Sequence, residues 1–295
     1  MTHNRTLGHR IKAWFINFTA PLWSDRAYLT VKFWIHNGYW PNLNNPKSYN
    51  EKVNWLKLNL KNPSLSRLVD KAEVKQYIAS KIGEKHIIPT LAIYNSVDEI
   101  NFDELPEQFV LKCTHDSGGI VVCKDKSRLN KQKSLSILNK ALKRNFISLT
   151  REYPYATVRP RIIAEKYMED EFGELRDYKF FCSNGKPWMV FIATGRQKGI
   201  ATFDFFDMQF NHLPIINGHP MSKVPIKKPV CFDKMIELAS TLSEEFIHVR
   251  VDFYEVKGEI YFGELTFFHN SGIEPIEPRE WDFKMGEFIH LPLKS

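Results

Sequence analysis

Between Val249 and Thr266 the chain alternates apolar and polar residues in two runs, Val249-Arg250-Val251-Asp252-Phe253-Tyr254 and Ile260-Tyr261-Phe262-Gly263-Glu264-Leu265-Thr266. Both are rich in Val, Phe and Tyr, and Val256-Lys257-Gly258 interrupts them, which predicts a β-hairpin with Gly in its turn. Setting Val256 against Ile260 places Asp252 opposite Glu264, Arg250 opposite Thr266, Val249 opposite Phe267 and Val251 opposite Leu265. A slip of one residue would move Glu264 onto the apolar face against Val251. The preferred register sets two carboxylates face to face, where like charges repel. A hard cation between them turns that repulsion into a site, because Mg²⁺ takes one or two carboxylates and leaves room for phosphate oxygens. Arg250, one pleat along, is placed to hold the accompanying anion. For an arbitrary hairpin two solvated carboxylates are the commoner outcome; these strands are too apolar to be peripheral.

Elsewhere the pattern predicts helices first. Residues 1–35 carry Trp14, Phe15, Phe18, Trp23, Phe33 and Trp34 among Arg10, Lys12 and Arg26, as in a helix with one aromatic face, interrupted at Pro21. Packing on the body of the protein is the expectation for that face, and a membrane surface is the alternative. Ser48 followed by Glu51 is a capping box opening a helix with Val53 and Leu56 on its buried side. Residues 68–79 predict a second helix, N-capped near Asp70. Residues 87–91 read as a strand or its approach, and 102–106 as a loop. Phe109–Thr114 and Ile120–Cys123 predict strands around a His115-Asp116-Ser117-Gly118-Gly119 loop. An amphipathic helix over 126–148 follows, then strands over 161–168 and 175–182, the latter of alternating polarity. Asn184-Gly185 is a hairpin signal, and Pro187–Ile192 pairs back. Residues 203–229 are loop-rich, and 232–246 form a helix. The order is α+β, with the cleft between two mainly antiparallel sheets as the expected ligand site.

Composition narrows the picture only a little. The 295 residues allow one large domain or two to three lobes, and 22 Phe with 7 Trp supply an ample core. The formal net charge of +7 suits anionic ligands without choosing among them, and no long basic block points to nucleic acid. Cys113, Cys123, Cys182 and Cys231 form no C-x-x-C pair, which predicts reduced core residues and a cytoplasmic setting. No run is uncharged for the ~18 residues a spanning helix needs, and Arg10 and Lys12 interrupt any export-signal core.

The loop after the first strand of the 109–123 pair is the second candidate for chemistry. Gly118-Gly119 behind Ser117 frees backbone N–H groups to approach phosphate oxygens, and Lys112 ends the preceding strand. A Walker A loop is excluded, because G-K-[ST] is absent and a strand follows instead of a helix. An ordinary Gly-Gly hairpin is the bland reading.

Four stretches then line up with one family. Asn45–Leu56, Asp70–Tyr77, Phe109–Gly119 and Gly263–Thr266, by their order and spacing, resemble the ATP-grasp superfamily, and within it the TupA-like branch of bacterial surface-polysaccharide proteins. The similarity covers roughly residues 30–275. It implies an ATP-grasp fold with an extra N-terminal helical region (1–65), a further N-terminal part (66–107), a small ATP-binding lobe (108–168) and a large lobe with the metal site (169–295). It implies ATP and one or two Mg²⁺ as cofactors. Lys112 would contact the α/β-phosphates, and Ser117-Gly118-Gly119 would fold over the β/γ end. Glu165-Lys166-Tyr167-Met168 would read adenine, and Glu174 would bind ribose. Asp252 and Glu264 would hold the metal, with Thr266 and Asn270 as further ligands. Arg250, Lys179 and Arg196 would carry the catalysis, Arg196 and Lys198 holding an acidic substrate group. Thr266 departs from the Asn that many ATP-grasp ligases place there, and no lysine fills the superfamily's second phosphate-binding position by spacing. The implied activity is carboxylate–amine ligation in capsule or O-antigen biosynthesis; a sugar or lipid kinase on the same fold and a glycosyltransferase are its rivals. The expected partners are a sugar-linked carboxylate and an amine, not nucleic acid. Peripheral contact with the inner membrane face or a lipid-linked acceptor is a further expectation.

Overall fold

The computed structural model describes residues 7–116, 118–195, 199 and 201–292. The helices are α1 (Leu7–Phe18), α2 (Asp25–Asn37), α3 (Tyr49–Asn59), α4 (Ser66–Val69), α5 (Val74–Ile82), α6 (Lys131–Leu142), α7 (Phe146–Thr150), α8 (Phe232–Ser243) and α9 (Glu280–Glu287). The strands are β1 (Thr90–Tyr94), β2 (Phe109–Cys113), β3 (Ile120–Cys123), β4 (Ile162–Lys166), β5 (Asp177–Ser183), β6 (Lys186–Thr194), β7 (Thr202–Phe206), β8 (His212–Leu213), β9 (Val249–Val256) and β10 (Glu259–Thr266). They fall into two units: Asn62–Ile147 with Tyr153–Glu169, and Met1–Lys61 with Ser148–Glu152 and Asp170–Ser295.

The smaller unit is built on an antiparallel sheet of order β1-β4-β2-β3. Phe109, Leu111, Cys113, Val121, Ile162 and Ala164 alternate onto one face, and Leu138 and Ala141 of α6 cover it. The opposite face carries two cross-strand rows. One is Ile93, Ile163, Lys112 and Ile120; the other includes Thr90, Glu165, Val110 and Val122. The helix expected over 68–79 is broken. Asp70 ends α4, and its carboxylate accepts from the N–H groups of Ala72 and Glu73 at 2.7 and 3.1 Å, so the capping role holds but the helix restarts only at Val74. The long helix expected over 126–148 is likewise broken into a short turn, α6 and α7.

In the larger unit an antiparallel sheet of order β10-β9-β5-β6-β7-β8 is covered on both faces. Phe180 and Phe253 meet Phe232 of α8 or one another on one side, while Phe181 and Trp188 meet Tyr49 of α3 on the other. That double cover explains why β5 is buried at every position although its polarity alternates. The capping box of α3 forms as expected: Ser48 accepts from the Glu51 N–H, and Glu51 accepts from the Ser48 N–H. Asn184 (φ 48°) and Gly185 (φ 77°) make the left-handed pair a two-residue hairpin turn needs. The 203–229 stretch is less loop-rich than expected, since β7 and β8 extend the sheet.

His248 tests how dry this core is. Its Nδ1 lies 3.0 Å from the Cys182 carbonyl oxygen and its Nε2 3.0 Å from the Tyr49 hydroxyl, so Nδ1–H donates and Nε2 accepts. Burial pushes its pKa from 6.5 down to about 4. The unfolded chain then takes up a proton that the folded chain refuses, and stability is lost as pH falls from about 6.5 towards about 4, by roughly 3 kcal/mol from this residue. Urea unfolding at neutral pH and at pH ~4 should show a pH-dependent loss that is smaller by about that amount in His248→Phe; equal losses in the two proteins would contradict this assignment.

Candidate functional site

β9 and β10 pair Asp252 with Glu264, Val251 with Leu265 and Arg250 with Thr266, as the sequence predicts. The turn end differs. Val256 pairs with Glu259, and Lys257 (φ 54°) and Gly258 (φ 80°) form the turn. A bulge at Gly263 absorbs the extra residue and restores the expected pairing beyond it. A Cβ at Gly263 would lie 3.2 Å from the Asp252 carbonyl oxygen, so glycine permits the bulge.

One row of side chains crosses this sheet: Glu264, Asp252, Lys179, Phe191 and Phe205. Arg250 stands in the next row and joins its charged half. Arg250 Nε donates to Asp252 Oδ1 at 2.7 Å, and Nη2 donates to Asp252 Oδ2 and Glu264 Oε1 at 2.7 Å each and to Thr266 Oγ1 at 3.0 Å. Lys179 also bonds the Asp252 carboxylate and lies 3.4 Å from Asp177. Asp252 is wholly buried, whereas the Glu264 side chain is 39% exposed. Burial pushes the Asp252 carboxyl up, against the pull of Arg250 and Lys179. Burial also works against the Arg250 charge, but Asp252, Glu264 and Asp177 outweigh it and hold the guanidinium protonated.

His269 closes the network. Burial, then the charges of Arg250 and Lys179, hold its pKa well below the ordinary value, so the ring is neutral. Nδ1 accepts from Arg250 Nη1 at 2.6 Å and Nε2–H donates to Asn217 Oδ1 at 2.9 Å. Asn270 also donates to Asn217, at 2.7 Å, and is exposed. The loop is backbone-strained: Asn270, Ser271 and Gly272 have φ of 46°, 56° and 60°. α3 holds it there. Lys57 donates to the Ser271 carbonyl and hydroxyl, both at 2.6 Å, and Asn54 donates to the Gly272 carbonyl at 2.7 Å.

The residues fit magnesium better than a closed metal cage. Among the described residues no group of three or more His, Cys, Asp and Glu side chains is placed to hold an ion. Asp177, Asp252 and Glu264 face the charges of Arg250 and Lys179, three negative groups against two positive. A guanidinium already bridges Asp252 and Glu264, which shows that the pair accepts a cation between its carboxylates. Such a donor set suits an ion that completes its shell with phosphate oxygens and water. Thr266 is committed inside the network, donating to Glu264 Oε1 at 3.0 Å.

In the smaller unit Lys112 Nζ lies 2.8 Å from Glu165 Oε2, and Lys75 Nζ lies 2.5 Å from Oε1. Lys75, at the start of α5, also donates to the Ile88 carbonyl and the Thr90 hydroxyl at 2.8 Å each. Sequence spacing missed this second lysine; only the sheet brings it to Lys112. Burial pushes Glu165 up, yet the two lysines outweigh it and the carboxyl lies below its ordinary value. Its carboxylate is thus bonded to ammonium groups. Lys166 and Tyr167 line a cavity of about 660 Å³ with Leu91, Pro106, Gln108 and Lys124. Gly119 has a packing reason: a Cβ there would lie 2.5 Å from that of Ala141 and 2.8 Å from Cys113 Sγ. Gly118 is exposed beside Arg144, Met168 is half-buried, and Ser117, Arg196 and Lys198 lie outside the described residues. Glu174, before β5, accepts from the Gly195 N–H at 2.9 Å.

Two antiparallel sheets, one carrying paired lysines and the other opposed carboxylates, are the architecture of an ATP-grasp protein. The model of the family described as TupA-like ATPgrasp matches residues 51–290, and the chain belongs to that family. No curated protein sequence matches it. Among solved structures it is similar to a D-alanine–D-alanine ligase from Bacillus anthracis complexed with ATP, at 17% identity and a TM-score of 0.40 over 75% of this chain and 62% of that one. The corresponding ligase from Helicobacter pylori gives 14% identity and a TM-score of 0.42 over 84% and 68%. The ATP-grasp ligase PsnB, complexed with a minimal precursor, Mg and ADP, gives 10% and 0.38 over 74% and 57%. The chain spans less than two thirds of the length of the Bacillus anthracis enzyme.

Burial grades what each charge contributes. Arg250→Met leaves Asp252 short of a partner in a dry site and should cost about 3–5 kcal/mol of stability. Glu264→Gln, at the half-exposed end, should cost less than about 1 kcal/mol. Urea denaturation measures both, and comparable losses would refute the gradient.

Proposed function

We propose that this chain is an ATP- and Mg²⁺-dependent carboxylate–amine ligase. The observation that carries the reading is the opposed pair Asp252–Glu264, bridged by Arg250 with Lys179 alongside. Asp252 and Glu264 would hold the metal, with Asn270 as a further oxygen donor; Thr266, expected as another, is bonded to Arg250 and Glu264 and would instead orient the Glu264 carboxylate. The metal supplies neutralisation of phosphate charge. Arg250 and Lys179 orient the carboxylates and add fixed positive charge where a phosphoryl group is transferred, a reaction governed by positioning and electrostatics.

A substrate carboxylate oxygen attacks the γ-phosphorus, the bond to the β–γ bridging oxygen breaks, and ADP leaves. The resulting acyl-phosphate is attacked at its acyl carbon by an amine, which loses a proton as phosphate departs, and an amide remains. In the smaller unit Lys112 and Lys75, steadied by Glu165, would present two ammonium groups to the phosphates. Exposed Ile120 and Val122 would offer an apolar face to the base, and the 165–168 backbone would read its edge. Glu165 itself is better placed to orient the lysines than to bond adenine. Ser117-Gly118-Gly119 would close over the terminal phosphates, and Glu174 would take a ribose hydroxyl. Arg196 would hold the acidic substrate.

The substrates are a sugar-linked carboxylate, such as a hexuronic acid, and an amino acid or small amine, in the assembly of a bacterial capsule or O-antigen. Family membership and the net charge of +7 support that choice.

ADP release with Mg²⁺-ATP and a panel of uronic acids, with and without amino acids, tests the reading. Release should require both substrates and fall about 100-fold or more in Glu264→Gln with melting temperature unchanged. Release with a hydroxyl acceptor alone would make the protein a kinase, and hydrolysis of a sugar nucleotide without ATP would make it a glycosyltransferase. Lys75→Met should weaken ADP binding about tenfold or more in calorimetry, since bonds to charged groups contribute roughly 1.5–3 kcal/mol; unchanged affinity would remove Lys75 from the phosphate site.

A further inference from the structure

α1 is apolar on two opposite sides. Ile16 faces inward, with Ala20, Tyr28 and Leu29, in a cluster completed by Trp23, Val31, Ile35 and Leu58. At ~100° per residue, Leu7, Ile11, Trp14, Phe15 and Phe18 fall within about 100° of arc on the opposite side. They are 72%, 57%, 63%, 55% and 71% exposed, and Leu22, in the turn that follows, is 85% exposed. Trp14 and Phe18 stack at 5.2 Å between ring centroids, so the stripe is continuous. Scattered exposed apolar residues are normal, but a contiguous aromatic face marks an interaction surface.

The charge around the stripe says what it meets. Arg10 and Lys12 are exposed on its two flanks, with Lys12 Nζ 5.1 Å from the Trp34 ring centroid. Residues 1–24 contain no Asp or Glu; the first acidic residue is Asp25. No helix among the described residues is long and apolar enough to cross a membrane. A Trp-, Phe- and Leu-bearing face edged by Arg and Lys is the composition of a helix that lies in the plane of a bilayer surface, its rings at the acyl boundary and its cations at the headgroups.

We propose that α1 and the Leu22 turn dock this protein on an anionic lipid surface. The inference is independent of the catalytic reading: it uses no residue of the carboxylate or lysine clusters.

Flotation of the full chain with vesicles of phosphatidylcholine alone, or of phosphatidylcholine with phosphatidylglycerol, tests it. The protein should float with the anionic vesicles. Binding should drop about tenfold or more with neutral vesicles, and by a similar factor in Trp14→Ser/Phe18→Ser, whose exposed positions leave the fold intact as read by melting temperature. Arg10→Gln/Lys12→Gln should lose the preference for anionic lipid. Failure of the wild type to float, or equal flotation of wild type and the Trp14/Phe18 variant, would overturn the proposal. So would light scattering that shows a dimer dissociated by the same two substitutions without lipid binding, since the face would then join two copies of the chain.

Discussion

Asp252 is a carboxyl group with no access to water, and the charged side chains of β5, β9 and β10 are arranged around it. A buried carboxylate must be paired, and it must be paired well. Arg250 reaches it with two nitrogens and Lys179 with a third. The guanidinium spends its remaining donors on Glu264, Thr266 and His269, which ties β9 to β10 and, after burial, helps keep His269 neutral. The bulge at Gly263 keeps Glu264 across from Asp252. The strained turn at Asn270, Ser271 and Gly272 keeps His269 in reach of Arg250, and Lys57 and Asn54 hold that turn from α3.

Such a network is arranged at some cost to stability. Replacing a buried ion cluster with apolar residues is often neutral or favourable, so its presence speaks more for a task than for the fold. The gradient of exposure along it has a direction. Asp252 and Lys179 are sealed, while Glu264 and Asn270 open towards solvent. On the proposed reading, a cation that brings its own phosphates would meet the open end first, where exchanging the Arg250–Glu264 contact is least expensive.

The hairpin was legible in the sequence because its chemistry is local. Alternation of period two set which residues share a face, and separating charge from apolar side chains chose the pairing of Asp252 with Glu264. The count failed at the turn: a bulge adds a residue that alternation does not reveal, and Gly263 was the one hint. Lys75 escaped because its relation to Lys112 and Glu165 is set by a helix and two strands far apart in sequence. His269 and Asn217 escaped for the same reason, although His269 follows the end of β10 by three residues. β5 alternates in polarity, yet it is buried throughout, with Asp177 and Lys179 taken up as partners in the ion cluster. Asp70 was recognisable as a cap, but not as the point where one helix stops before another starts.

We propose that Asp252 and Glu264 form a metal site that Arg250 and Lys179 hold ready. Immobilisation of Mn²⁺, followed by electron paramagnetic resonance with and without a non-hydrolysable ATP analogue, tests it most directly. The wild type should immobilise Mn²⁺ when the analogue is present, and Glu264→Gln should lose this while keeping its fold. Equal immobilisation in the two proteins would show that the metal is held elsewhere, and the paired carboxylates would be part of the core alone.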